Sequence, residues 1–259
     1  MILFIICILG YIFSSYLFAK RYHDFIPFVV VCSILSILYL AGLLGILYPT
    51  ARAIYFVGWL LFIFSIGLLC RKPKDTFQLI TPGLVFFVIA VIFIGSKVQY
   101  AEYSQWDEFS HWGLVTKYML HTHHFPANKV IFTKLYYPVG TNIFHYFVGI
   151  NSSLQTEGSA YIGHLLLAAM PLAGLGYKIR WRGVFTGLAA LILSYYIITQ
   201  MGSGFISIYV DHIVSIFFGM AILMYLNLRR EKVLNLLLII PPLFVLPMIK
   251  EVSYLLALF

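Results

Sequence analysis

Eight apolar runs, near residues 2–19, 25–48, 53–70, 79–95, 159–177, 183–200, 206–228 and 233–249, constrain this chain more than any motif does. A helix that crosses a bilayer needs about 20 mostly apolar residues. In hydrocarbon each backbone N–H and C=O must be paired within the segment or in a closed barrel, so runs of this length predict helices. Only 10% of the 259 residues are charged and 62% are hydrophobic, against about 25% charged in an ordinary soluble domain. No stretch is polar for long enough to enclose a separate aqueous core. The expectation is therefore an all-α, polytopic transmembrane helical bundle of about eight spans, forming one membrane domain over 1–259. Four spans would lie in 1–95, an extracytoplasmic loop with short interfacial helices in 96–158, and the remaining spans in 159–259. The segment Tyr254–Phe259 reads as the start of a further helix, which predicts that the chain is a fragment of a longer one.

Basic residues set the orientation. The net charge is +8, but the Lys and Arg side chains fall in short clusters between apolar runs, a pattern of membrane topology rather than of nucleic-acid binding. With the N-terminus outside, Lys20-Arg21, Arg71-Lys72-Lys74, Lys178-Arg180-Arg182 and Arg229-Arg230-Lys232 all fall on the cytoplasmic side. The same count places the 96–158 loop, Gly202-Ser203-Gly204, Asp211 and Lys250-Glu251 on the outer face. It also requires the stretch 142–150 not to cross, and about ten residues are too few to do so. Tyr136-Tyr137-Pro138-Val139-Gly140 precedes that stretch and predicts a turn before an interfacial or re-entrant helix. Cys7, Cys32 and Cys70 show no paired spacing and read as packing residues. An apolar start without a basic region or a small-residue cleavage site argues against a removable signal peptide.

Trp106-Asp107-Glu108-Phe109-Ser110-His111-Trp112 stands in the longest polar stretch and sets two adjacent acids beside a histidine and two indoles. On a helix over 105–120, Asp107 and His111 share a face with Ser110 beside them, and Glu108 is turned roughly 100° away. Only one acid can then address a given reacting atom, as a general base taking a proton from a hydroxyl. Acids are also favoured in a helix's first turn by the dipole, and tryptophans at a membrane interface, without any chemistry.

The other candidates carry similar alternatives. His111, His121, His123 and His124 have the ligand chemistry for a divalent metal but no standard zinc spacing; exposed loop histidines more often bind nothing. Asp211 and His212 stand near the outer end of an apolar run, as functional ionisable groups or as a cap and an interfacial pair. Lys250 and Glu251 follow Pro241-Pro242 and Pro247, where a broken helix can line a cavity. Lys250 can hold a phosphate there or snorkel to the interface. Tyr100, Tyr103, Trp106, Trp112, Tyr136 and Tyr137 read as interfacial anchors, one or two of them able to stack on a sugar ring.

An acid in an outer loop, a later Tyr137-Pro138-Val139-Gly140 turn before a short helix, and an ionisable residue near a broken downstream helix resemble the GT-C superfamily of membrane glycosyltransferases. The likeness is to bacterial members that use polyprenyl-phosphate sugars, and it covers roughly 100–251. It implies a catalytic carboxylate at Asp107, with Glu108 as the alternative. Asp107 would deprotonate an acceptor hydroxyl while polyprenyl phosphate leaves, and the anomeric carbon would be inverted. Positive charge for the phosphate would come from Lys250, with Lys117 or His212 next. His111, Trp106, Trp112, Tyr137 and Asp211 complete the expected substrate-binding set.

The chain departs from that family in carrying its acidic loop after the fourth span rather than the first, and in its shorter length. The partners implied are a polyprenyl-phosphate sugar donor, a glycan, lipid or protein acceptor, and membrane lipids, with no nucleic acid. No cofactor is firmly implied, although a divalent metal is compatible. The location implied is a bacterial inner membrane, multi-pass, with the active face outside the cytoplasm. Two other classes fit the composition: a multi-pass transporter or lipid flippase, and a non-catalytic membrane subunit.

Overall fold

A computed structural model describes residues 2–18, 23–71, 80–127, 137–152, 157–179, 181–201, 204, 206–228 and 237–258. Of the residues named above, Lys20, Arg21, Lys72, Lys74, Tyr136, Arg180, Gly202, Ser203, Arg229, Arg230 and Lys232 lie outside the described residues. Every regular element among the described residues is a helix. In chain order they are α1 (Ile2–Phe18), α2 (Ile26–Leu43), α3 (Leu47–Arg71), α4 (Pro82–Val98), α5 (Gly113–Thr122), α6 (Gly140–Asn151), α7 (Glu157–Leu172), α8 (Val184–Met201), α9 (Asp211–Leu228), α10 (Ile240–Ile249) and α11 (Ser253–Leu258).

A helix occupies each of the eight apolar runs. By length and composition five helical stretches suffice to cross a membrane: Ile26–Leu43, Leu47–Arg71, Glu157–Gly176, Trp181–Gln200 and Asp211–Leu228. Those over Ile2–Leu17, Pro82–Val98 and Leu237–Ile249 are apolar but shorter. Proline punctuates the starts. Thr81 caps α4 by accepting the Leu84 N–H at 3.1 Å, with Pro82 following it. Proline's missing N–H costs nothing in a helix's first turn.

Helix α3 begins six residues before the apolar run that announces it, because Arg52 in its second turn has partners inside the bundle. Its guanidinium donates to Asn151 Oδ1 at 2.9 Å and to the Ile150 carbonyl at 3.3 Å. At the other end of the chain, Pro247 lies inside α10, which stops at Ile249; Lys250 is extended before α11 starts. The expected break therefore falls at Lys250 itself.

Helix α7 is the axis of the bundle. Each of its residues from Gly158 to Leu172 is buried, while α3 and α8 turn much of their apolar surface outward. A helix that is apolar all round and covered all round is a core helix. Helix α6 packs along it, and with 12 residues, about 18 Å, α6 is too short to cross a bilayer. The stretch 142–150 thus lies in a helix too short to cross, and it is packed inside the bundle. Residues Gly140–Gly149 are buried, and the Phe4 ring of α1 meets Phe144 and Phe147 edge-on at 6.2 and 5.2 Å. At its start Gly140 touches α10 so closely that a Cβ would lie 2.4 Å from the Met248 carbonyl oxygen.

Helices α1 and α3 show how close approach is achieved without a hydrophobic driving force between them. Small residues let the backbones meet, as in membrane helix pairs generally. A Cβ on Gly10 would stand 1.9 Å from the Gly58 carbonyl oxygen, and Ser14 and Ser65 share a hydrogen bond of 2.9 Å one turn further on. Gly10→Ala should therefore force the helices apart and cost about 1–3 kcal/mol. Thermal unfolding in detergent checks this, with Gly67→Ala as a silent control, since nothing lies within 4 Å of its added Cβ.

Candidate functional site

The acidic segment folds as a wide turn rather than a plain helix start. Glu108–Trp112 is a π-turn, closed by the Gly113 N–H donating to the Glu108 carbonyl five residues back. Such single turns are rare and concentrate at functional sites. Here the turn swings Glu108, His111 and Trp112 inward together, leaving Trp106 80% and Phe109 55% exposed. Gly113 is required at its end, because a Cβ there would lie 2.3 Å from the Tyr103 ring.

Glu108 is 1% exposed. Its Oε2 accepts the Ser104 and Gln105 N–H groups at 2.8 and 2.9 Å and the Tyr161 hydroxyl of α7 at 2.8 Å. Its Oε1 is buried without a hydrogen-bond partner. Asp107 is half-buried and lies close enough to Tyr209 for its charge to act on that hydroxyl. Tyr209 is pushed up by burial first, then by the charges of Asp107 and Glu108. Burial, and then Glu157 and Glu108, likewise raise Tyr103. The two acids are thus divided, but not as a helix over 105–120 predicts: Glu108 rather than Asp107 turns inward with His111 and anchors the loop to the bundle, and Asp107 is the more accessible.

The rest of the predicted set is dispersed around this pair. His111 is buried with its ring 4.8 Å from Tyr137 and 4.5 Å from Trp112, and Trp112 stacks on Tyr137 at 5.5 Å. Asn142 of α6 fixes the Trp112 carbonyl at 2.6 Å and Thr116 Oγ1 at 2.9 Å. Trp112 and Tyr103 are therefore core residues, whereas Tyr100 and Trp106 are exposed. Lys117 pairs with Glu157, whose other oxygen accepts the Tyr103 N–H. This pair borders a cavity of about 830 Å³ that Tyr100, Glu102, Tyr103 and Phe109 also line.

Lys250 lies elsewhere, bonded to Asp211 Oδ1 at 2.5 Å. Asp211 and His212 open α9 two residues after Tyr209, and both line a second groove of about 570 Å³. Below them Ser215, Gly219, Met220 and Leu223 of α9 face Leu172, Leu175 and Ile198, so the groove is polar at its mouth and apolar along its length.

Two residues that sequence reasoning passed over stand beside His212. His164 of α7 and His145 of α6 are fully buried. His164 Nε2 is 3.2 Å from His212 Nε2, and the His145 and His164 rings are 5.4 Å apart. The available signal was the rule already applied to Asp211, that an ionisable group inside an apolar run is functional by default. Tyr161 and Tyr209 carried no such signal, being two of 19 tyrosines.

The loop histidines do not gather. His121 and His124 are exposed, and His123 instead meets the Tyr146 hydroxyl at 3.1 Å and the Tyr48 ring at 4.4 Å. Among the described residues no group of three or more His, Cys, Asp or Glu side chains is placed to hold a metal ion.

No protein-family model, no curated protein and no solved structure matches the chain.

Glu108→Ala should strand three donors, two main-chain N–H groups and a tyrosine hydroxyl. At about 1–3 kcal/mol for a stranded buried group, thermal unfolding should show a clear loss that Glu108→Gln, which keeps an acceptor oxygen, largely avoids. His123 is held below the usual imidazole range, by desolvation first and then by His124 and His121. The unfolded chain therefore binds a proton at His123 more readily than the folded one, so this contribution is present above about pH 6.5 and is lost as the pH falls below it. His123→Gln should flatten the melting temperature between pH 7 and pH 5 relative to wild type.

Proposed function

We propose that this protein is an integral membrane glycosyltransferase of GT-C type. It would move a sugar from a polyprenyl-phosphate donor to a glycan, lipid or protein acceptor on the outer face of a bacterial inner membrane. In this reading all eight apolar helices cross and the 96–158 segment lies on the outer side, the arrangement that satisfies the basic clusters. The observation that carries the proposal is the convergence at Tyr209. It lies within electrostatic reach of the accessible acid Asp107, and two residues later Asp211 and His212 open an apolar groove with a polar mouth.

Chemically, Asp107 takes the proton of an acceptor hydroxyl as its oxygen bonds to the anomeric carbon. The bond from that carbon to the phosphate oxygen breaks on the opposite side, and polyprenyl phosphate leaves with the electron pair, inverting the centre. The groove holds the donor's hydrocarbon chain, and its mouth, with His212 and the Lys250 that pairs with Asp211, faces the phosphate. The aromatic and charged cavity beside Lys117 is the acceptor's entry.

A second reading, a multi-pass transporter or lipid flippase, is favoured by the buried histidines, since intramembrane ionisable chains mark ion and proton paths. The third, a non-catalytic subunit, predicts an inert Asp107.

Transfer from radiolabelled polyprenyl-phosphate sugars to membrane glycans separates them. Asp107→Asn should lower turnover by about 10²–10⁴-fold, the usual worth of a general base, with the melting temperature kept. Turnover that is unchanged in Asp107→Asn, or absent in folded wild type with every donor, would sink the enzyme reading.

A further inference from the structure

Three imidazoles from three helices stand in a row through the interior. His145, His164 and His212 are 0%, 0% and 7% exposed. Both ring nitrogens of His145, and Nδ1 of His164 and of His212, are buried without a hydrogen-bond partner. Buried polar atoms without partners are few in folded proteins and each calls for a physical reason. A structural histidine would be expected to satisfy at least its N–H, so packing alone is a poor reason for three.

Hydrogen-bond arithmetic gives a better one. Between His164 Nε2 and His212 Nε2, 3.2 Å apart, one nitrogen must carry a hydrogen and the other a lone pair. That contact survives the arrival of one proton: the ring that donates across it can take a second hydrogen at its own Nδ1. A further proton on the accepting Nε2 would set two N–H groups against each other and break the contact. The pair is thus built to exist as two neutral rings or as an imidazole with an imidazolium, and His145 extends it one ring deeper.

The surroundings decide what would bring that proton in. From α9 the neighbouring charge is Asp211, already neutralised by Lys250 at 2.5 Å, and Glu251 beyond it is exposed. The segment before α9 brings Tyr209, on which the charge of Asp107 acts. On α7 itself Tyr161 is bonded to Glu108, and on α8 Tyr195 donates to the Leu165 carbonyl. Helix α2 carries Cys32 and Tyr39, α4 carries Lys97 in its last turn, and α5 carries Lys117, paired with Glu157. Among the described residues that line the groove, the only formally charged side chain is Asp211, and its charge is matched. An anionic headgroup at this mouth would therefore meet no unmatched positive charge until the histidine row supplies one.

We propose that the groove binds a single-chain lipid with an anionic phosphate head, and that its binding draws one proton into the His145–His164–His212 row. The apolar length takes the chain, and the imidazolium formed beside His212 takes the head. This shares with the proposed function the assignment of the groove to an anionic lipid, but not the transfer chemistry. By linkage, protons and lipid each tighten the other's binding by the same factor.

The test is calorimetric titration of lysophosphatidylglycerol, below its micellar concentration, into the detergent-solubilised full chain between pH 5.5 and 7.5. Its phosphodiester head does not titrate in that range. Affinity should rise about tenfold or more toward pH 5.5, and heats in two buffers of different ionisation enthalpy should give close to one proton taken up per lipid. Zwitterionic lysophosphatidylcholine should show no such rise. His164→Gln and His212→Gln should bind weakly and alike at every pH. A pH-independent wild type, an equal rise with the zwitterionic lipid, or a rise that survives in both variants would overturn the proposal. Should the variants not fold, ¹⁵N-histidine spectra of the wild type decide: no histidine turning to imidazolium on adding lysophosphatidylglycerol at pH 6.5 overturns it. Absence of binding at every pH also overturns it, and the Asp107 transfer assay still judges the enzyme reading by itself.

Discussion

A carboxylate sealed inside an apolar bundle is expensive unless the protein supplies the hydrogen bonds that water gave up. Glu108 has three on one oxygen, two from the chain just before it and one from Tyr161. The first two curl the 104–108 segment around the acid, and the third fastens that curl to the central helix. Removing the anchor would free the π-turn, and with it the placement of Asp107, His111 and Trp112. The placement of those three side chains is therefore referred to one buried oxygen.

Helix α7 makes that reference rigid. It carries Tyr161 for Glu108 and, three residues on, His164 for His212, so one buried helix ties both the loop and the groove mouth. Its burial depends on small residues at its contacts. A Cβ on Gly158 would lie 2.4 Å from the Gln99 carbonyl oxygen, and one on Gly163 would lie 3.2 Å from the His145 ring. The same closeness that seats α6 against α7 brings His145 within ring contact of His164.

What was legible in the sequence follows from how local each cause is. The apolar runs announced a helix in each of eight places, five of them in stretches long enough to cross a membrane, because hydrophobic length is a property of consecutive residues. Arg52 obscured only the start of α3, its partners Ile150 and Asn151 being almost a hundred residues away. The acids at 107 and 108 were visible for their contrast with greasy flanks, and their different orientations for the helical angle between neighbours. Which acid turns inward was hidden, since it depends on Tyr161 and on a turn of five rather than four residues. His145 and His164 were hidden by their apolar flanks, where a single imidazole reads as a packed core residue. Only the meeting of three helices makes them a group.

The two polar centres differ in how they manage charge. Around Glu108 the donors are fixed and neutral, two amides and a phenol. At the groove mouth the one acid is already matched by Lys250, and the neighbouring bases are imidazoles, which can be neutral or charged. A fixed cation there would hold an anionic head permanently and slow the departure of anything bound through it. An imidazole supplies the charge only while a ligand makes it favourable and gives the proton back afterwards. A histidine row beside an apolar groove is thus suited to a site that must bind an anion and then release it, and a lysine alone in that position would serve only the first.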